Sequence, residues 1–155
     1  MMIRKARIQD IPQLERLLGQ VLAVHHNGRP DLFKDGCRKY TAQELVTLLG
    51  DENRPVFGAF EGEELLGYAF CMLEVYEDHN IQTDRRTLYV DDICVDEAHR
   101  GQHIGSALYA YVRDYARKIG CYHITLNVWS CNPGAMAFYE SLGMQPYKVG
   151  MEEIL

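Results

Sequence analysis

The chain has 155 residues, 47% of them hydrophobic and 25% charged, proportions that exclude a disordered or fibrous protein and suit one globular domain over residues 1–155. A net charge of −6, from 22 acids against 16 bases, argues against non-specific nucleic-acid binding, which needs a basic face. No run approaches the ~20 apolar residues of a membrane span, no apolar stretch follows Met1-Met2-Ile3-Arg4-Lys5, and five scattered cysteines lack any CxxC pair, so the expectation is a cytoplasmic protein with reduced thiols and neither membrane nor metal as partner.

Residues Met2 to Arg7 read as a first strand. Gln9-Asp10-Ile11-Pro12 opens a helix, with Asp10 as the cap and proline in the first turn. Ile11, Leu14, Leu17, Leu18, Val21 and Leu22 share one face of it, and His25-His26-Asn27-Gly28 offers a left-handed end. A loop through Arg29-Pro30 to Cys37 follows. Thr41-Ala42-Gln43-Glu44 is a capping box, which predicts a short helix from Thr41 to Leu49. After the break at Asp51 to Pro55 come two strands, Val56 to Phe60 and Leu65 to Val75, joined by a tight hairpin at Glu61 to Glu64. Glu77 to Asp84 is a polar loop. Thr87 to Val95 is the next strand, and a helix with Ile104, Ala107, Leu108, Tyr111, Val112, Tyr115 and Ile119 on one face ends at Gly120. Tyr122 to Val128 is a strand, and Asn132-Pro133 caps and opens a helix that ends at Gly143. Gln145 to Glu152 reads as a last strand. The order β-α-α-β-β-β-α-β-α-β predicts a mixed α/β sheet flanked by helices.

Between the strand at Thr87–Val95 and its following helix stands Arg100-Gly101-Gln102-His103-Ile104-Gly105-Ser106. A strand, a glycine-containing turn and a helix N-terminus form an anion-binding device, because the first helical N–H groups lack internal acceptors and the helix dipole is positive there. Gly105 permits close approach, Ser106 adds a hydroxyl and Arg100 adds charge. Glycines placed for packing alone are the equal alternative. Two nucleotide-binding rivals fail on the residues: a dinucleotide fold needs an acid near Thr125-Leu126-Asn127, and a Walker loop needs Gly-Lys before Ser or Thr.

The turn resembles the coenzyme A motif of the GNAT N-acetyltransferase superfamily, Arg/Gln-x-x-Gly-x-Gly/Ala, with His103 in place of the first glycine. Asn132 to Met144, with Phe138-Tyr139 and Gly143 inside it, resembles the family's second signature, and the element order from Met2 to Glu152 fits as well. The resemblance implies a mostly antiparallel central sheet with helices on both faces, with acetyl-CoA as co-substrate and no metal. It implies a pyrophosphate held by the N–H groups of Gly101, Gln102, His103, Ile104, Gly105 and Ser106 beside Arg100. Pantetheine would pair with the strand edge at Ile93, Cys94 and Val95 and touch Asn132 and Tyr139. Dimerisation, common in the family, is an expectation by resemblance.

A primary amine with a pKa of about 10.4 is mostly protonated at neutral pH and only its neutral form attacks, so an acetyltransferase gains from a base. Asp91 and Asp92 are the candidates, with two solvated or salt-bridged aspartates as the equal alternative. Successive strand residues face opposite sides, so at most one faces the cleft, and Asp91 is favoured because it shares parity with Ile93 and Val95. The resemblance turns the Phe138-Tyr139 pair toward the thiol, which makes Tyr139 the candidate acid for the leaving thiolate; helical spacing alone reads it as a core tyrosine. The resemblance sets the first helix and its loop beside the acceptor, so His25, His26 and Arg29 are candidate wall residues, with a solvated helix end at least an equal alternative, and Trp129 fits either core or cleft. A metal site built from these histidines and Cys37 lacks ligand spacing, and no residue is placed as an acyl-carrying nucleophile. The expectation is acetyl transfer to a small-molecule or peptide amine by direct attack in a ternary complex. A non-catalytic acyl-CoA-binding or regulatory module is the alternative.

Overall fold

The computed structural model describes all residues, Met1–Leu155. Five strands, β1 (Met2–Lys5), β2 (Val56–Glu61), β3 (Glu64–Tyr76), β4 (Arg85–Val95) and β5 (His123–Leu126), lie in one sheet in chain order. The first three pairings are antiparallel and β4–β5 is parallel, the mixed and mostly antiparallel sheet that the sequence implies. Helices α1 (Ile11–Gly28) and α2 (Ala42–Leu49) cover one face, and α3 (Ile104–Lys118) covers the other. Helix α4 (Pro133–Ser141) follows β5.

Alternation along the strands divides the core. Tyr68, Phe70 and Cys94 are buried with Leu14, Leu17, Leu45 and Leu48 beneath α1 and α2. Ala69, Cys71, Leu88 and Val90 are buried with Val112 and Ala116 of α3. A fully buried leucine contributes about 1.5–3 kcal/mol, so each helix is held by its apolar stripe more than by its intrinsic propensity. No helix is long and apolar enough to cross a membrane.

Three sequence expectations are corrected. Asp10 does not cap α1 with its side chain. It is buried, it accepts from the Arg7 N–H at 2.7 Å, and it pairs with Arg4. Gly28 stays helical and Arg29 is the C-terminal cap, so no left-handed glycine ends α1. The strand expected at Gln145–Glu152 is absent, and residues 145–155 are exposed throughout. Pro146 has no N–H to offer a ladder, and β5, only four residues long, ends the sheet. Arg29, which also pairs with Asp31, holds the segment instead through Glu152. The capping box of α2 forms as read: Thr41 Oγ1 accepts from the Glu44 N–H at 3.1 Å, and Glu44 accepts from the Thr41 N–H at 2.7 Å.

Two irregularities in β4 prepare the site. Only Thr87 to Val90 pair with β5, against His123 to Leu126. From Asp91 to Val95 the strand bonds to β3 alone, so the two parallel strands part and leave one edge of β4 open. In the β3–β4 ladder Phe70 faces Asp92 while Cys71 faces Val90. Asp91 is therefore an extra residue in a β-bulge, which breaks strict alternation.

Candidate active site

The turn after β4 starts with Asp96, whose carboxylate accepts from the Ala98 N–H and pairs with Arg16 of α1. Burial pushes the Asp96 carboxyl up, but the Arg16 guanidinium and the Ala98 N–H outweigh it and hold it below the usual carboxylate range. A 3-10 turn, Glu97–His99, leads to Gly101 at φ +78° and His103 at φ +60°. The N–H groups of Gly101, Gln102 and His103 donate to no protein acceptor. The first helical bond is donated by Ala107 to the His103 carbonyl, so Ile104, Gly105 and Ser106 have no acceptor in the preceding turn either. Six consecutive amides are thus free at the positive end of α3. Arg100 is exposed, and its Nε donates to the Val95 carbonyl at 3.4 Å.

His103 occupies the left-handed region that glycine adopts freely, which explains why glycine suits this position of the motif. Its side chain is exposed and makes no hydrogen bond. Gly105 serves packing: a Cβ there would lie 3.1 Å from Phe138 Cζ and 3.5 Å from Val95 Cγ2. The glycine lets the α4 ring settle on the start of α3, so the room read from the sequence as space for a ligand is filled by Phe138.

Ile93 and Val95 pack toward α3, while Cys94 points under α1 with Tyr68. Plain alternation would send Asp91 with Ile93 and Val95. The bulge turns it the other way, and its Oδ2 pairs with Lys39 Nζ at 2.8 Å. Asp92 accepts from the Tyr68 hydroxyl at 2.8 Å. Both acids therefore lie on the side of Lys39, and the expectation that the two point to opposite faces is corrected. Burial pushes the Asp92 carboxyl above the usual range; Lys39 and Tyr68 pull against it without winning, and Asp91 adds to the rise. Lys39 and Tyr68 went unrecognised in the sequence, because nothing there announces a bulge.

Tyr139 lies on α4, whose first turn is capped by the Asn132 side chain accepting from the Ala135 N–H at 3.1 Å. Burial raises the Tyr139 phenol well above its ordinary range, and the nearby Asp92 charge adds to the rise. The hydroxyl is not engaged by another side chain. Cys94 is no nucleophile: burial pushes its thiol up to about 12. A cavity of about 340 Å³ opens between the end of α1 and the start of α4, lined by His25, Gly28, Phe33, Trp129, Cys131 and Asn132 among others. Phe33 stands edge-on to Trp129, with ring centroids 5.2 Å apart, and 5.0 Å from His25. Trp129 thus lines this cavity rather than the core. His26 is turned away, bonding the Phe33 carbonyl through Nδ1 at 2.8 Å, and Arg29 is spent on Asp31 and Glu152.

A parted pair of parallel strands, a run of free amides and a half-buried tyrosine within the field of the Asp92 carboxylate set a specific arrangement. The profile of the acetyltransferase (GNAT) family matches residues 21–144.

The chain belongs to the GNAT acetyltransferase family.

Among solved structures, a mutant of the BH1408 protein from Bacillus halodurans superposes with a TM-score of 0.95 and 31% identity, covering 100% of this chain and 99% of that one. This GNAT chain is also 27% identical over 129 residues to a probable glucosamine 6-phosphate N-acetyltransferase of Drosophila melanogaster, covering 83% of this chain and 52% of that protein. It is 29% identical over 136 residues to a thialysine N-epsilon-acetyltransferase of Sus scrofa, covering 88% of this chain and 73% of that one. The chain thus spans about half the length of the first of these two curated relatives.

Proposed function

We propose that this GNAT chain is an N-acetyltransferase that moves an acetyl group from acetyl-CoA to a primary amine by direct attack in a ternary complex. The observation that carries the reading is the opening between β4 and β5, with free amides at one end and Asp92 and Tyr139 beside it. The Gly101–Ser106 amides suit a diphosphate, since they have no other acceptor and sit where the helix dipole favours negative charge. The open edge of β4 at Ile93 to Val95 offers main-chain groups to the pantetheine arm, which is amide-rich and extended like a strand. Acetyl-CoA supplies an activated carbonyl and a thiolate leaving group.

Asp92 takes the proton that the amine must lose as its nitrogen bonds to the thioester carbon. Its raised pKa suits a base working near neutrality better than an ordinary carboxylate does. The carbon–sulfur bond then breaks and the electron pair leaves on sulfur. Tyr139 keeps its proton firmly, so full transfer to a thiolate with a free pKa near 8.5 is uphill. Its hydroxyl donates a hydrogen bond to the departing sulfur, which collects its proton on release. The acceptor body lies against Trp129, Phe33 and His25. Arg29, paired with two carboxylates, leaves this wall no free guanidinium for a phosphate group, which favours an unphosphorylated amine.

Thiol release from acetyl-CoA across an amine panel, with thermal-shift measurement of acetyl-CoA binding, tests the reading. We expect stabilisation by acetyl-CoA and release with at least one amine. Tyr139→Phe should lower kcat about 10²-fold with acetyl-CoA affinity unchanged. Binding without release for any amine would leave only an acyl-CoA-binding module, and neither binding nor release would overturn the proposal altogether.

A further inference from the structure

Two adjacent half-buried carboxylates need a reason to stay ionised together. Like charges a few ångströms apart in a poorly solvated place drive one of the pair to hold its proton. Around Asp92 the groups are Asp91 and Cys94 on its own strand, Tyr68 on β3, His25 on α1, Tyr139 on α4, and Lys39 on the segment joining α1 to α2. Lys39 is the lysine or arginine among them. Its Nζ is 2.8 Å from Asp91 Oδ2 and 5.6 Å from the Tyr40 ring centroid. Tyr40 in turn stacks on Phe70 at 6.0 Å and 20°, and Phe70 is the residue facing Asp92 across the ladder. The Lys39-Tyr40 pair is thus clamped over the bulge by a ring stack and an ion pair. A free surface lysine has no such restraint.

We propose that Lys39 is a positioning residue, which pins Asp91 in the bulge and supplies the positive charge that lets Asp92 serve as the amine's base. This rests on the reading of Asp92 as that base. The electrostatics agree in direction. Burial alone would lower the Lys39 ammonium, but the hydrogen bond to Asp91 and the charges of Asp92 and Asp91 outweigh it and raise it, so the lysine stays charged throughout the working range. The same lysine is among the groups that pull the Asp92 carboxyl down. The acid–base strength of the site is therefore set by a segment outside the motifs that hold the donor.

The test compares pH profiles of kcat/KM for the wild type, Lys39→Met, Lys39→Arg and Asp92→Asn, alongside carbon NMR titration of the Asp92 carboxyl in the free proteins. Lys39→Met should move the acid limb of the profile, and the NMR titration of Asp92, to higher pH by about one unit. The high-pH plateau should be largely kept and Lys39→Arg should restore the limb. Should Lys39→Met fold poorly, Lys39→Gln replaces it in both measurements. A titration of Asp92 that stays in place when Lys39 is neutralised overturns the proposal, even if the amine KM rises through a loosened loop. Full activity in Asp92→Asn instead overturns the base reading, and the NMR titration still reports whether Lys39 acts on Asp92.

Discussion

His103 shows how a single residue is constrained by backbone rather than by its chemistry. At φ +60° a side chain crowds the following carbonyl, at a cost of about 1–2 kcal/mol for most residues, while short polar and histidine side chains tolerate the region better. Its exposed imidazole meets nothing that would repay the strain. We expect His103→Gly to keep both the fold and acetyl-CoA affinity, and His103→Val to lower stability by about 1–2 kcal/mol in urea unfolding. Equal stability of the two variants would show that the turn relaxes without the left-handed residue. The motif itself was legible in the sequence because it is local: strand, turn and helix are contiguous. The facing of Asp91 and Asp92 was not legible, because it depends on a bulge set by register against β3, 20 or more residues away.

At the scale of elements, the close approach of β3 to β4 and α3 depends on one missing side chain. A Cβ on Gly67 would stand 2.6 Å from the Cys94 carbonyl oxygen and 3.1 Å from Leu108 Cδ1. The first is backbone in a paired strand and has nowhere to go. Gly67→Ala should therefore destabilise the protein by about 1–3 kcal/mol, read as a lower urea midpoint at unchanged slope. An unchanged midpoint would mean that the ladder shifts at no cost. The elements that the sequence revealed best carry strong periodicity or two-sided caps: α1 and α3 by their apolar stripes, α2 by Thr41 and Glu44. The expected last strand failed for the converse reason. Gln145–Glu152 alternates as a strand does, but alternation records only what a segment is able to bury, and no neighbour in this sheet bonds to it.

For the whole molecule, the carboxylates divide into two groups with opposite effects on stability. Burial alone would raise Asp10 and Asp96, but Arg4 and Arg16 hold both below their usual range. Such groups stabilise the fold above the unfolded pKa near 3.9, and that contribution is lost as pH falls through their lower folded values. Asp92 runs the other way. Its folded pKa is raised, so the fold favours its protonated form, and stability declines as pH rises from about 3.9 through the folded value. At neutral pH its ionised form is a cost to the fold. We expect Asp92→Asn to raise Tm near pH 7, with the gain shrinking to nothing near pH 3.5, where the native carboxyl is itself protonated. A variant less stable at both pH values would show that the Tyr68 hydrogen bond outweighs the poorly solvated charge.

The run of free amides from Gly101 to Ser106 has a bearing on how this protein can change over time. Almost any residue supplies an N–H, so the half of the cleft assigned to the donor is written in main chain and tolerates exchange of its side chains wherever φ allows. The half assigned to the acceptor is written in Lys39, Asp92, Phe33 and Trp129, where each exchange alters shape or charge. Descendants of such a scaffold would diverge in what they acetylate long before they diverge in what they acetylate with.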